Sequence, residues 1–258
     1  MGTLSKLLRA TRLKAPKPPK EPRLPTSVNY EDVLSNEEKA ILSEVLPYTM
    51  TDVARTLSLI YAVRYVERNH VPGAIVECGV WRGGSMMAVA RTLLNLGVSN
   101  RRLYLYDTFQ GMPAPTQRDI DLTGLVAEDL FNEHKFEDVE GSDWCFSSLE
   151  EVQANVSTIG YPSDKIRYVK GKVEDTLPGE APDAICLLRL DTDFYESTLH
   201  EMVHLFPRLS VGGIVIVDDY LGWQGAREAV DEYVRDHKVR LYLDPTGHGA
   251  GIGVKQAA

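Results

Sequence analysis

The sequence predicts an α/β fold in which a mostly parallel seven-stranded sheet carries helices on both faces and an antiparallel hairpin at one edge. Three observations lead there. Short, nearly continuous apolar runs alternate with helical stretches, the pattern of strands buried on both faces. The run Ile75-Val76-Glu77-Cys78 enters the glycine-rich turn Gly79-Val80-Trp81-Arg82-Gly83-Gly84 and then a helical pattern from Met86 to Leu96. The last two strand candidates are joined only by Asp244 to Ala250, too short for a helical crossover, so they should pair antiparallel.

Taken in order, residues 1–27 stand apart. They hold seven basic residues (Lys6, Arg9, Arg12, Lys14, Lys17, Lys20, Arg23) around Ala15-Pro16-Lys17-Pro18-Pro19-Lys20. Proline at that density blocks helix and sheet, so a basic, proline-rich arm is expected. The remainder, 28–258, reads as one catalytic-sized domain that begins with a helical segment over 28–72. Ser35 is a candidate N-cap for a helix opening at Asn36, and a second helix spans Thr51 to Asn69, with Val53, Leu57, Ile60, Tyr61 and Arg64 at helical spacing. Pro72-Gly73 breaks the chain before the sheet.

Strands are expected at Ala74–Gly79, Arg102–Asp107, Ile166–Lys170, Ala184–Asp191, Gly213–Asp218, Val239–Leu243 and Gly251–Lys255. Ligands collect at the carboxyl ends of such strands. The connection from Asp107 to Ile166 is far too long for a turn, and its acidic, aromatic-dotted part suggests a lid insertion over about 113–150.

Bulk properties narrow the function. The chain has 258 residues, 43% apolar and 25% charged, enough for a sizeable core. A net charge of −9 argues against a nucleic-acid partner, which would need clustered Lys and Arg. No apolar run approaches the roughly 20 residues that span a bilayer, and no secretory signal is visible, so a cytoplasmic protein without a membrane partner is expected. Cys78, Cys145 and Cys186 form neither a disulfide pattern nor a zinc spacing and read as packed thiols of a reducing compartment.

The chemistry sits at the strand ends. Glu77 can cap the turn, orient its amides or bind a ligand ammonium directly. The turn that follows, with Gly79, Trp81 and Ser85, lets a nucleoside lie against bare backbone. It lacks the Gly-x-Gly-x-x-Gly of dinucleotide sites and the Gly-Lys-Ser/Thr of phosphate loops, which suits a cofactor without phosphate such as S-adenosylmethionine. Asp107 ends the second strand, where an acid either holds both ribose hydroxyls or simply closes the strand. The turn Thr108-Phe109-Gln110-Gly111-Met112 would carry the sugar edge, and Lys172 and Val173, after the third strand, the adenine. Asp191 and Asp193 end the fourth strand, and Asp218 and Asp219 the fifth. Several carboxylates at adjacent tips repel and are most easily retained around a hard cation, Mg²⁺ or Ca²⁺; alternatively only one or two point inward. Trp223 is a candidate wall of the substrate cleft or a core residue, and His134 a candidate contact from the lid.

Together these stretches resemble the macrocin O-methyltransferase family, metal-dependent sugar methyltransferases of antibiotic pathways. The matching segments are Val76–Gly84, Tyr106–Pro113, Asp175–Pro178, Leu190–Thr198 and Val217–Tyr220, followed by Trp223, Gly225-Ala226-Arg227 and Ala229-Val230-Asp231. The resemblance covers roughly residues 40–256. It implies a Rossmann-like class I methyltransferase that uses S-adenosylmethionine and Mg²⁺ to methylate a deoxysugar hydroxyl of a glycosylated small molecule. It implies metal held by Asp191, Asp218 and Asp219, with Asp191 also taking the hydroxyl proton. It places cofactor contacts at Glu77, Gly79, Asp107 and the loop after Gly171, and sets Thr49 and Met50 near the methionine end. Asp193 and Tyr195, with Trp223 and His134, are the candidate acceptor contacts. Gln110 stands where the family often has Glu. The arm and the family suggest a homodimer or higher homo-oligomer. A catechol-type O-methyltransferase, a non-catalytic binding protein and a nicotinamide oxidoreductase are the competing readings.

Overall fold

Buried β-branched and leucine side chains set the architecture. In the computed structural model, which describes residues 33–137 and 140–257, seven strands form one sheet in the order β3-β2-β1-β4-β5-β7-β6. The basic arm expected over 1–27 lies outside the described residues. β1 (Ala74–Cys78), β2 (Leu103–Asp107), β3 (Ile166–Lys170), β4 (Ile185–Leu190) and β5 (Leu209–Val217) pair in parallel, and β7 (Ala250–Val254) pairs antiparallel with β5 and with β6 (Asp244–Thr246).

On one face, Val76, Cys78, Leu188, Leu190, Val215 and Val217 form a core with Met202, Leu205, Val230 and Tyr233. These last four come from α7 (Tyr195–His204), the turn after it, and α8 (Gln224–Asp236). α2 (Val53–Arg68) packs on α3 (Gly84–Asn95) and against β4 and β5. Ile75, Leu103, Leu105 and Leu187 are fully buried. Each contributes roughly 1.5–3 kcal/mol, and that apolar gain is what retains strand tips crowded with acids. α1 (Asn36–Val45) opens with the expected Ser35 cap, closed as a box: the Glu38 amide donates to Ser35 Oγ at 3.2 Å and the Ser35 amide to Glu38 Oε2 at 2.8 Å. α2 is capped by Asp52.

The edge hairpin differs from the sequence expectation. The ladder strand is Asp244–Thr246, not Val239–Leu243. Val239, Leu241 and Leu243 do pack on the core, so their alternation reports burial without pairing. The turn that closes the hairpin, with Gly247 and Gly249 at φ +57° and +128°, lies within the expected connection Asp244 to Ala250, whose first three residues form the strand. Pro245 is tolerated because β6 is an edge strand. The long connection after β2 carries α4 (Ala127–His134) and leads into α5 (Leu149–Ser157), and the short α6 (Val173–Thr176) follows β3. It is tied to the domain at both sides: the Ser142 amide donates to the Gln110 carbonyl, the Met112 amide to that of Trp144, and the Leu122 amide to that of Gly222.

Candidate active site

The parallel register places Cys78 beside Tyr106 and Leu190, and Leu190 beside Val217, so the residues following them emerge side by side. Gly79 sits at φ +81°, and a Cβ there would come within 2.0 Å of the Asp191 carbonyl oxygen. Only glycine lets the first turn pass so close to the fourth strand. Gly79→Ala should cost about 2–4 kcal/mol of stability and weaken S-adenosylmethionine binding, measured by urea denaturation and calorimetry.

Asp107 organises that turn. Its Oδ2 accepts from the amides of Val80 (2.7 Å) and Trp81 (3.2 Å), and its Oδ1 from the Phe109 amide (2.6 Å). Burial raises its pKa, against the lowering effect of those amides. The amide-orienting role foreseen for Glu77 therefore belongs to Asp107. Glu77 is 1% exposed and lines no part of the cleft. Its Oε1 accepts from Arg189 at 2.7 Å, its Oε2 is buried without a partner, and burial pushes its pKa up to about 7 despite the guanidinium.

Two lobes share Met50, Trp81, Cys145, Asp191 and Asp193. The first, of about 90 Å³, is lined by Gly79, Asp107, Thr108, Gly111 and Met112. It continues past Thr108 and Gly111 into a cavity of about 150 Å³ beside Gly171 and Lys172, whose ammonium pairs with Glu140. Val173 is buried and lines neither space. The second lobe, of about 270 Å³, is lined by Thr49, Ser85, Arg55 and Asp218, with Asp219 and all three tryptophans of the chain. Trp223 packs on Trp144 and Phe194 with ring centroids 6.1 and 5.7 Å away. Trp81, Cys145 and Asp193, which line both lobes, are left-handed at φ +45°, +53° and +64°, as is Phe109 in the turn after Asp107 at +51°. Strained non-glycine backbone of this kind gathers at functional sites.

One oxygen from each of Asp191, Asp193 and Asp219 lies within 4.8 Å of the others. Burial, reinforced by their mutual repulsion, raises all three carboxyls: Asp193 to about 7, Asp191 and Asp219 well above the usual range. Asp219 Oδ2 is buried without a partner. Three converging carboxylates with an orphaned oxygen and no sulfur donor fit a hard divalent cation. Asp218, expected as a cation ligand, is paired here with two guanidinium groups, and the third acid of the trio is Asp193. Asp218 Oδ1 accepts from Arg189 Nη2 at 2.6 Å and Oδ2 from the Arg55 guanidinium. Asp191, expected also to take the hydroxyl proton, accepts from Arg189 Nη1 through its Oδ2 at 2.6 Å.

Two expected acceptor contacts point elsewhere. The Tyr195 hydroxyl donates to Glu232 at 2.9 Å, Arg118 lies 4.0 Å over its ring, and it lines neither lobe. His134, at the end of α4, pairs through Nδ1 with Asp143 at 2.7 Å and lines neither lobe. Arg189, Arg55, Trp144 and Cys145 were not foreseen as site residues. Arg189 alone carried a signal: an arginine inside Leu187-Leu188-Arg189-Leu190 cannot be buried unless acids surround it.

A mostly parallel sheet with a reversed edge strand, a glycine turn after β1 and an acid closing β2 is the architecture of the class I methyltransferases, and the family match makes this chain an S-adenosylmethionine-dependent O-methyltransferase. Residues 29–247 match the family model described as macrocin-O-methyltransferase (TylF), and the chain belongs to that family. It is 36% identical over 208 residues to the 8-demethyl-8-(2,3-dimethoxy-alpha-L-rhamnosyl)-tetracenomycin-C 4'-O-methyltransferase of Streptomyces olivaceus, covering 80% of this chain and 74% of that one. It is 34% identical over 192 residues to the mycinamicin III 3''-O-methyltransferase of Micromonospora griseorubida, covering 74% and 72%. The solved structure of the O-methyltransferase NovP superposes with a TM-score of 0.71 at 30% identity, covering 81% of this chain and 83% of that one. Among the described residues no helix is long and apolar enough to cross a membrane.

Proposed function

We propose that this protein methylates a sugar hydroxyl of a glycosylated natural product, using S-adenosylmethionine and a divalent cation, Mg²⁺, held by Asp191, Asp193 and Asp219. The observation that carries this reading is the position of the acid trio: it lies where a narrow, backbone-lined lobe meets a wider lobe walled by tryptophans. The names of the relatives, which specify the 4' and 3'' positions of their substrates, favour a sugar as the acceptor. Tryptophan faces suit the apolar side of a deoxysugar.

Asp107 fixes the turn against which the nucleoside lies and presents its carboxylate to the ribose. The loop at Lys172 borders the adenine end, and Thr49, Met50 and Ser85 border the methionine end. A hard dication held by Asp191, Asp193 and Asp219 would lower the pKa of a neighbouring hydroxyl and offset the carboxylate repulsion. Asp193, which faces both lobes without a guanidinium partner, takes the acceptor proton. The freed oxygen attacks the methyl carbon, whose bond to sulfur breaks with the electron pair remaining on sulfur, giving S-adenosylhomocysteine. Trp144 and Trp223 hold the acceptor in line, and positioning supplies much of the acceleration for so weak an acid as a sugar hydroxyl.

The test is mass spectrometry of glycosides and catechols incubated with methyl-labelled S-adenosylmethionine. Label should enter glycosides, stop with EDTA and return with Mg²⁺. Labelling of catechols alone would assign a phenolic acceptor, and full activity in EDTA would remove the cation.

A further inference from the structure

Glu201 is a buried acid that the chemistry above does not use. It lies in α7 beside the core residue Met202 and is 0% exposed. Its Oε1 accepts from Thr192 Oγ1 at 3.0 Å, and its Oε2 is buried without a partner. Burial raises its pKa well above the usual carboxylate range, against the bond from Thr192, and the nearby acids Glu174 and Asp191 add to the rise. An apolar side chain of the same size would fill this place without leaving a polar atom unpaired, so the acid needs a reason to be there.

The bond to Thr192 supplies one. Thr192 is the middle residue of Asp191-Thr192-Asp193, the turn that follows β4. That turn is tight: the Phe194 amide donates to the Thr192 carbonyl at 2.7 Å, and Asp193 is left-handed at φ +64°. A non-glycine residue keeps such a conformation only where its surroundings fix it. The Asp191 amide is tied to the Cys78 carbonyl at 2.9 Å, and the Tyr195 amide to Asp119 Oδ1 at 2.8 Å. Between these ties the Thr192 side chain is held by Glu201. Asp191 and Asp193 line both lobes of the cleft, whereas Thr192 and Glu201 line neither. We propose that Glu201 is a positioning residue that fixes the turn after β4 through Thr192, so that Asp191 and Asp193 are presented together to the cleft. The inference rests on the cation reading above and adds the support beneath two of its acids. A neutral carboxyl suits this task, because it accepts from the hydroxyl without adding a negative charge behind Asp191.

The test uses the full chain and Mn²⁺ alone, with free Mn²⁺ followed by electron paramagnetic resonance. Binding of S-adenosylhomocysteine is measured by calorimetry, and folding is checked by circular dichroism. Thr192→Val removes the hydroxyl and should weaken Mn²⁺ binding about five- to tenfold. Glu201→Leu should do the same, and the double variant should lose no more than about twofold beyond either. Glu201→Gln keeps an accepting oxygen and should stay within about twofold of the wild type. S-adenosylhomocysteine should bind every variant as it binds the wild type. Thr192→Val decides alone if Glu201→Leu does not fold. Wild-type Mn²⁺ affinity in folded Thr192→Val, losses that add in the double variant, or a matching loss of S-adenosylhomocysteine binding would each overturn the proposal. So would a folded Glu201→Gln as weak as Glu201→Leu. A wild-type chain that binds no Mn²⁺ would remove the cation reading, and this inference with it.

Discussion

Asp193→Asn should lower turnover by about a hundredfold to ten-thousandfold while making the cation-free protein more stable at alkaline pH. The two effects share one origin. Burial, with Asp191 and Asp218 nearby, raises the Asp193 carboxyl from an ordinary 3.8 to about 7. The unfolded chain ionises it near its ordinary value, so between about pH 4 and 7 the folded state binds more protons and stability falls as pH rises. Above pH 7 the folded protein carries the full cost of a charged Asp193, and the amide abolishes that cost. The expected gain is on the order of 1–3 kcal/mol at pH 8 and close to nothing at pH 4, read from melting curves in EDTA. Retained turnover would move the proton to another group. An equal effect at both pH values would mean that packing, not ionisation, was altered.

Arg189→Met should cost about 3–5 kcal/mol and leave much of the chain unfolded at ambient temperature. The substitution suits the volume of the site but strands Glu77, Asp191 and Asp218, which now meet on one guanidinium at 2.6–2.7 Å. Replacing one partner of a buried ion pair is far worse than replacing all of them, because the remaining charges have nothing to face. Arg189→Lys should recover little, since a single ammonium cannot present two separate nitrogens to three carboxylates. Urea denaturation of the three proteins decides the matter, and wild-type stability in Arg189→Met would show that the acids are neutral in the folded state.

The sheet was legible because fully buried strands write themselves as apolar runs; Ile166–Lys170 was placed without error, and the other parallel strands within a few residues. The edge was harder. Val239 to Leu243 alternate as a strand does, yet alternation records which side chains are buried and says nothing about which amides find partners. At the site, the positions of the acids could be read from the strand ends, but their partners could not. Glu77 and Asp107 both end strands, and only the fold shows that the second reaches the turn amides while the first is claimed by Arg189. Asp218 shows the same limit: it is paired with two guanidinium groups, one of them from Arg55, which lies far from it in the chain. Tyr195 and His134 are polar residues in suggestive places whose own neighbours, Glu232 and Asp143, account for them.

The contact between Gly79 and the Asp191 carbonyl has a further meaning. On the function proposed above, it joins the turn that would receive the methyl donor to the segment that would receive the acceptor, through main-chain atoms alone. The spacing between the two reactants is thus inherited with the backbone and does not depend on which side chains ring the opening. Substitutions around that rim can change what is accepted over evolutionary time while the reaction axis stays where it is.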